Sequence, residues 1–168
     1  IELQWQKSVA GGNLPTWFSP SGHTERGFAY NPTSNNLLVV SRNGGSFVKL
    51  VSAADGSDNG QLDVTGVSGG TYAITDIGVS EDGAIYASNL VSASASAFKI
   101  YRWANEAAAP TVAFSGLEYM AVKRVGDNIT VLGRASDNTL QIWLPDATNN
   151  KIYVLKTTNN GVTLALTD

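Results

Sequence analysis

The sequence offers few side chains that could perform catalysis. His23 is the only histidine and cysteine is absent, which excludes thiol chemistry, disulfides and zinc sites of the Cys/His type. A Ser–His–acid triad would have to pair His23 with a serine such as Ser21, but no G-x-S-x-G turn is present. Paired carboxylates such as Glu81 and Asp82 are better explained as a hairpin turn, because Gly83 follows them. We therefore expect a protein that is not an enzyme.

One loop carries oxygen-bearing side chains at the spacing of a calcium site. Its candidate ligands are Asp55, Ser57, Asn59 and Asp63. Calcium loops of the EF-hand type close with a bidentate glutamate at the twelfth position. That position is Gly66 in this sequence, and no helical pattern flanks the loop. An ordinary Asp/Gly/Asn hairpin is therefore favoured, calcium is the less favoured alternative, and no other cofactor is expected.

A third group of polar side chains lies at the ends of predicted strands. Arg42, Asn89 and Arg134 end the second strands of three repeated units. The segments that lead into the first strands add three more candidates, Asp76, Glu118 and Tyr119. If these side chains converge on one face, they suit a glycan or a protein loop as the ligand. The plainer interpretation is that they bridge neighbouring sheets and satisfy loop carbonyls.

The repeated units that would position these side chains each consist of four short strands. The predicted strands are 27–31, 38–42, 47–51 and 61–64, then 77–80, 85–89, 98–103 and 111–114, then 120–122, 130–134, 140–144 and 151–155. The turns between them supply the Asn, Asp and Gly that tight hairpins require. Four antiparallel strands recurring about every 40 to 50 residues are typical of β-propeller blades. The alternative is a β-sandwich or barrel with accidental self-similarity.

The two ends of the chain resemble incomplete blades. We place a half-blade at 1–22, with strands at 3–6 and 15–19, and blades at about 23–66, 67–116 and 117–157. A C-terminal strand lies within 158–168, where residues 164–168 resemble the lead-in to another blade. Such an all-β, propeller-like domain closes into a small ring, belongs to a longer propeller, or is completed by another copy. Open sheet edges are templates for pairing. Self-assembly would then use apolar residues of both ends, namely Leu3, Trp5, Trp17, Phe18, Leu164 and Leu166.

Composition narrows the range of partners. The 168 residues carry a net charge of −3, which disfavours nucleic acid. No apolar run approaches the roughly 20 residues that span a membrane. The uncharged, Asn/Gly/Thr-rich composition favours a secreted chain whose signal peptide has been removed. We expect an extracellular structural or binding module that forms homo-oligomers or packs against further blades, with glycan binding as the alternative and an enzyme acting on polysaccharide as the least favoured interpretation.

Part of the chain resembles a known family. The resemblance rests on residues 62–71, 76–79, 82–90 and 98–103. These segments are similar to secreted bacterial β-propeller-like proteins that form a domain family of unknown function. The resemblance is good over residues 27 to 115 and loose elsewhere. It implies an exported propeller, and it supplies no catalytic residues to carry over to this chain.

Overall fold

The computed structural model describes residues 3–92, 96–116, 124–146 and 150–167. These residues form an all-β fold of three antiparallel sheets, each with four strands, and include no helix. Sheet 1 contains β1 (Glu25–Asn31), β2 (Asn36–Ser41), β3 (Phe47–Ser52) and β4 (Asp58–Gln61). Sheet 2 contains β5 (Tyr72–Val79), β6 (Ile85–Leu90), β7 (Phe98–Trp103) and β8 (Thr111–Gly116). Sheet 3 contains β9 (Thr130–Leu132), β10 (Gln141–Asp146), β11 (Lys151–Lys156) and β12 (Ala165–Leu166).

The strands of sheets 1 and 2 confirm the sequence-based prediction to within a few residues at most ends. Their turns contain the residues that tight hairpins need. Asn35 has a φ of 58° before β2, and Gly83 has a φ of 87° between β5 and β6. Both conformations are left-handed and favour Asn or Gly over other residues. None of the described segments is a helix long and apolar enough to cross a membrane.

Sheet 2 lies between the other two sheets and is buried on both faces. One face packs Ile85, Ala87 and Trp103 against residues of sheet 1 such as Leu38 and Val40. The opposite face packs its own set of side chains against sheet 3, and this second cluster includes Tyr86, Phe98, Ile100, Ile142, Leu144 and Leu155. Every residue of β6 is buried, as expected for a strand with apolar neighbours on both sides.

The first strands of the three sheets lie side by side, with β5 between β1 and β9. Their approach is close because glycine occupies the contact points. A Cβ on Gly78 would lie 2.4 Å from Cγ2 of Val131, and one on Gly27 would lie 1.8 Å from Oδ1 of Asp76. Larger side chains at Gly27 or Gly78 would force the sheets apart. This convergence of first strands fits a propeller-like arrangement.

Sheet 3 is built differently from the predicted third blade. Among the described residues its inner edge is β9, which we had predicted as a second strand; the predicted first strand, 120–122, lies outside the described residues. The prediction that residues 164–168 begin another blade is wrong. Instead, β12 pairs with β11 through Leu155 and Leu166 and forms the outer edge of sheet 3. Leu164 is buried, and its N–H bonds to the carbonyl of Ala113 at 2.9 Å.

The predicted N-terminal pair of strands is also wrong. Residues 3–6 and 15–19 form no strand. Residues 3–8 are irregular, and turns follow that are closed by bonds from Gly12 N to Val9 O and from Phe18 N to Pro15 O, both 3.0 Å. The segment 3–19, which we call the N-terminal cover, lies over the outer face of sheet 1. Its side chains and those of sheet 1 enclose a cavity of about 210 Å³.

Candidate functional site

A polar concavity lies where β1, β5 and the segment before β9 begin. We call it the arginine cleft. Its volume is about 560 Å³. It is lined by Arg26, Arg42, Thr71, Tyr72, Thr75, Leu90, Arg124, Asp127 and Asn128. All three sheets contribute to it or to the chain that leads into it.

Arg42 is held in place at the end of β2. Its N–H donates to the carbonyl of Thr24 at 3.1 Å, and its guanidinium stacks 3.8 Å from the ring centroid of Tyr72. Partial burial, followed by repulsion from Arg26, lowers the pKa of Arg42. These contacts orient the guanidinium within the cleft, and Arg26 and Arg42 form no ion pair with any described residue.

Arg124 and Asp127 form the ion pair of the cleft. Nε and Nη2 of Arg124 each donate to a different carboxylate oxygen of Asp127 at 2.7 Å. This bidentate hydrogen bonding raises the pKa of Arg124. Asp127 thus balances one guanidinium directly, so the cleft keeps a surplus of positive charge.

Asp76 borders a neighbouring hollow of about 370 Å³ that shares Arg26, Asp127 and Asn128 with the arginine cleft. Its carboxylate is buried, and Oδ2 accepts a 2.6 Å bond from the N–H of Ile129. Burial raises the pKa of Asp76, although bonds from the N–H groups of Ile129 and Ile77 oppose the shift. Asp76 therefore joins sheet 2 to the lead-in of sheet 3 beside the cleft.

The structure separates the other predicted ligand-binding residues. Asn89 is fully buried, and its amide holds the β6–β7 connection by accepting from Lys99 N at 2.9 Å and donating to Ala97 O at 3.1 Å. Arg134 lies at the opposite end of β5, because its neighbour Gly133 bonds to Glu81 N. The expectation that Arg42 and Arg134 converge on one face is therefore wrong. Glu118 and Tyr119 lie outside the described residues.

The predicted calcium loop uses its oxygen atoms in local turns. Oδ1 of Asp55 accepts from N and Oγ of Ser57, and bonds from Ser57 and Ser52 lower the pKa of Asp55 to about 2. Asp63 accepts from Thr65 N at 2.8 Å, while Asn59 donates to Asn36 Oδ1 at 2.8 Å. Over the described ranges no group of three or more His, Cys, Asp or Glu could hold a metal ion. Calcium binding at this loop stays a prediction.

A second feature is apolar and lies on the outer face of sheet 3. Leu132, Trp143 and Ile152 point away from sheet 2 and are 49 %, 41 % and 67 % exposed. They share this face because Leu132 pairs with Gln141 and Ile152 pairs with Pro145, and both partners lie two residues from Trp143 along β10. Exposed large side chains grouped on one sheet face are typical of an interaction surface.

The predicted self-association residues are divided between cover and core. Trp5, Trp17 and Phe18 lie in the N-terminal cover and line its cavity against sheet 1. Leu3 is exposed, Leu164 is buried, and Leu166 is half-buried in β12. The two termini therefore expose only part of the apolar surface that the sequence predicted for assembly.

Sequence reasoning missed the contribution of Arg124 and Asp127 to the cleft. They flank the start of sheet 3, and their place beside Arg42 depends on β9 being an inner strand. A signal was nevertheless present, since charged residues precede the Asn128–Thr130 stretch just as Glu25 and Arg26 lie at the start of β1. Once β9 is aligned with β1 and β5, these lead-in segments become equivalent.

The fold and the cleft define an all-β protein of three four-stranded sheets with a polar concavity at the start of its inner strands. Over residues 10–167 the sequence matches a family described as a domain of unknown function, DUF4623. The chain belongs to this family, which confirms that part of the predicted resemblance. No curated protein matches it significantly.

A crystal structure of a DUF4623 family protein from Bacteroides eggerthii DSM 20697 has the same fold over most of this chain. The two share 25 % sequence identity, with a TM-score of 0.71. The match covers 86 % of this chain and 34 % of the other. The chain therefore spans about a third of the length of that solved structure.

Proposed function

We propose that this chain is a non-enzymatic, extracellular structural module with propeller-like architecture. In this proposal the outer face of sheet 3 packs against another four-stranded sheet of the same kind. The observation that carries it is the exposed apolar group formed by Leu132, Trp143 and Ile152. Secretion rests on the uncharged, Asn/Gly/Thr-rich composition of the chain.

The packing already present in the molecule supports this type of contact. Sheet 2 buries both faces against sheets, so sheet-on-sheet contact is how these strands remove apolar side chains from water. The solved relative is also much longer than this chain, because two thirds of it lie beyond the matched region. For the 168-residue chain in isolation, a second copy is the available source of another sheet.

In this proposal the chains associate through sheet faces and not through the edges of strands. Assembly through open half-blades required strands at residues 3–6 and 15–19, and neither segment is a strand. The edge strand β12 is two residues long, β4 has four residues that are all exposed, and the six-residue edge strand β8 already accepts a bond from Leu164 N at its Ala113 carbonyl. Short edge strands are poor templates for pairing.

The mass of the chain in solution tests the proposal. We expect light scattering at high concentration to give a multiple of 17.7 kDa, and the variant Trp143→Asp/Ile152→Asp to be a monomer. Val162→Asp is the matched control, because Val162 is similarly exposed but lies in the turn before β12. A wild-type monomer at every concentration, or equal dissociation of the control, would contradict the proposal.

A further inference from the structure

The charges of the arginine cleft suit an anion. Three guanidiniums, those of Arg26, Arg42 and Arg124, meet one facing carboxylate, Asp127, with the buried Asp76 beside them. The direct count leaves the cleft positive by about one or two charges, depending on the protonation of Asp76. Arg26 and Arg42 repel each other; Asp127 attracts Arg42, but no described carboxylate forms an ion pair with either arginine. A bound anion would relieve this repulsion.

A second and independent feature of the cleft is an unused hydroxyl. Thr75 lines the cleft and is only 5 % exposed, and its buried Oγ1 has no hydrogen-bond partner among the residues that the structure describes. A buried polar group without a partner costs on the order of 1 to 3 kcal/mol, so such groups are uncommon. A ligand oxygen that reaches this buried hydroxyl from the cleft would supply the missing partner. The charge and the hydroxyl therefore point to the same type of ligand atom.

The cleft is also preorganised for a planar oxyanion. The stack on Tyr72 fixes the plane of the Arg42 guanidinium, and the Thr24 carbonyl anchors its backbone. Arginine forks match the two oxygens of a carboxylate in a bidentate arrangement. The small surplus of positive charge fits one carboxylate better than a doubly charged phosphate.

The cleft is larger than a carboxylate needs. Its volume of about 560 Å³ leaves room for the rest of a small molecule. Thr71 and Asn128 lie on its rim with exposed polar side chains, which can bond to hydroxyl groups. The lining thus combines one anionic position with several positions for hydroxyls.

We propose that the arginine cleft binds an acidic sugar through its carboxylate, with Arg26 and Arg42 holding the carboxylate and Thr75 donating a hydrogen bond to it. This binding site is separate from the apolar face of sheet 3 and does not depend on assembly. A chain that stays monomeric can still bind the sugar, so the two proposals fail independently.

Calorimetric titration with glucuronate tests the site. We expect saturable binding of glucuronate, much weaker binding of glucose, which lacks the carboxylate, and weaker binding of inorganic phosphate. Glucuronate binding should also weaken as salt is added. Absence of glucuronate binding at millimolar concentrations, equal binding of glucose, or tighter binding of phosphate would each overturn the proposal.

Three variants locate the binding. Arg42→Gln should weaken glucuronate binding about tenfold or more, since a charge-assisted hydrogen bond is lost. Thr75→Val keeps the shape of the side chain and should weaken binding several-fold without loss of fold. Arg134→Gln removes an exposed arginine at the other end of β5 and should leave binding unchanged. Equal binding by Thr75→Val and wild type, or an equal loss in Arg134→Gln, would overturn the assignment even if Arg42→Gln failed to fold.

Discussion

The outer faces of sheets 1 and 3 both carry apolar side chains, but those of sheet 1 are covered and those of sheet 3 are exposed. On sheet 1, Leu37, Val39 and Val51 lie beneath the N-terminal cover and are buried or half-buried. On sheet 3, the corresponding apolar side chains, with Trp143 and Ile152 among them, are exposed. The chain therefore covers one end of its three-sheet stack and leaves the other end open.

This difference shows that a sheet face can be covered without another sheet. The N-terminal cover is irregular, yet its two indoles attach it at defined points. Nε1 of Trp5 donates to the Ala53 carbonyl at 2.8 Å, and Nε1 of Trp17 donates to Oδ2 of Asp58 at 3.0 Å. The cover stops short of β1, where Phe28 remains 73 % exposed. The open face of sheet 3 is thus the stronger candidate for a partner.

The contact between sheets 2 and 3 is the reference for this comparison. Its loss should lower the free energy of unfolding more than any other change considered. Asp82 accepts bonds from Ser80 Oγ, Ala135 N and Ser136 N at 2.6 to 3.0 Å, which tie sheet 2 to sheet 3. We expect Asp82→Ala to lower the free energy of unfolding by about 3 kcal/mol in urea denaturation. Asp137→Ala is the control, since Asp137 bonds to Thr139 within its own turn. Equal losses would show that Asp82 is not a bridge.

Removing an anchor of the N-terminal cover should have the next largest effect. Trp5→Ala deletes a half-buried indole and its bond to Ala53, so we expect a loss of about 2 kcal/mol in the free energy of unfolding. Leu3→Ala, in the same segment but 75 % exposed, should change it by less than about 0.5 kcal/mol. If both variants match wild type in urea denaturation, the segment does not cover sheet 1.

Lowering the pH should reduce the stability contributed by the Asp82 contact but not the stability contributed by the N-terminal cover. Burial alone would raise the pKa of Asp82, but bonds from Ser80, Ser136 and Ala135 hold it well below 3.8. The stability contributed by the carboxylate is therefore present above pH 3.8 and lost as pH falls through the lower, folded-state pKa. The gap between wild type and Asp82→Asn, about 1.5 kcal/mol at neutral pH, should narrow in acid.

The matched comparison for this pH dependence is Trp5→Ala, because its loss is mainly apolar. Its deficit relative to wild type should stay constant between neutral and acidic solution. Urea midpoints of the three proteins at both pH values provide the measurement. A constant gap for Asp82→Asn would contradict the role given to its carboxylate.

Replacing tryptophan by phenylalanine in the N-terminal cover and on the outer face of sheet 3 should give the smallest difference in the free energy of unfolding. Trp17→Phe keeps an aromatic ring and loses the bond to Asp58, for an expected cost of about 1 kcal/mol. Trp143→Phe loses a bond to Gln141 in its own strand and should cost less than about 0.5 kcal/mol in dilute solution. Equal costs in urea denaturation would remove the distinction between the two faces.

Strands with strong local signals could be predicted from the sequence. In β2 and β3, apolar alternation and flanking turns determine both type and bounds. The segment 3–6 alternates equally well, but its apolar side chains can cover a sheet from an irregular backbone. Likewise, the pattern of 164–166 predicts an extended segment without revealing its partner strand. Pairing depends on contacts distant in sequence, which a local pattern does not contain.

The candidate site was predictable to a similar extent. Arg42 and Asp76 could be placed near each other because they belong to sheets with clear repeats. Arg134 was predicted at the same end as Arg42 because β9 was interpreted as a second strand. Neighbouring strands run in opposite directions, so a shift of one strand in sheet 3 moves Arg134 to the other end. Arg124 was missed for the same reason. Long-range contacts such as the bond from Ile129 N to Asp76 fix the inner strand.

The four tryptophans are intrinsic fluorescent probes of different parts of the molecule. Trp103 is fully buried between sheets 1 and 2, Trp5 and Trp17 are half-buried in the cover, and Trp143 is exposed on sheet 3. Fluorescence from Trp103 should be blue-shifted and shielded from iodide, whereas emission from Trp143 should be red-shifted and readily quenched. Single-tryptophan versions would therefore separate release of the cover, opening of the core and burial of the sheet 3 face by their emission alone.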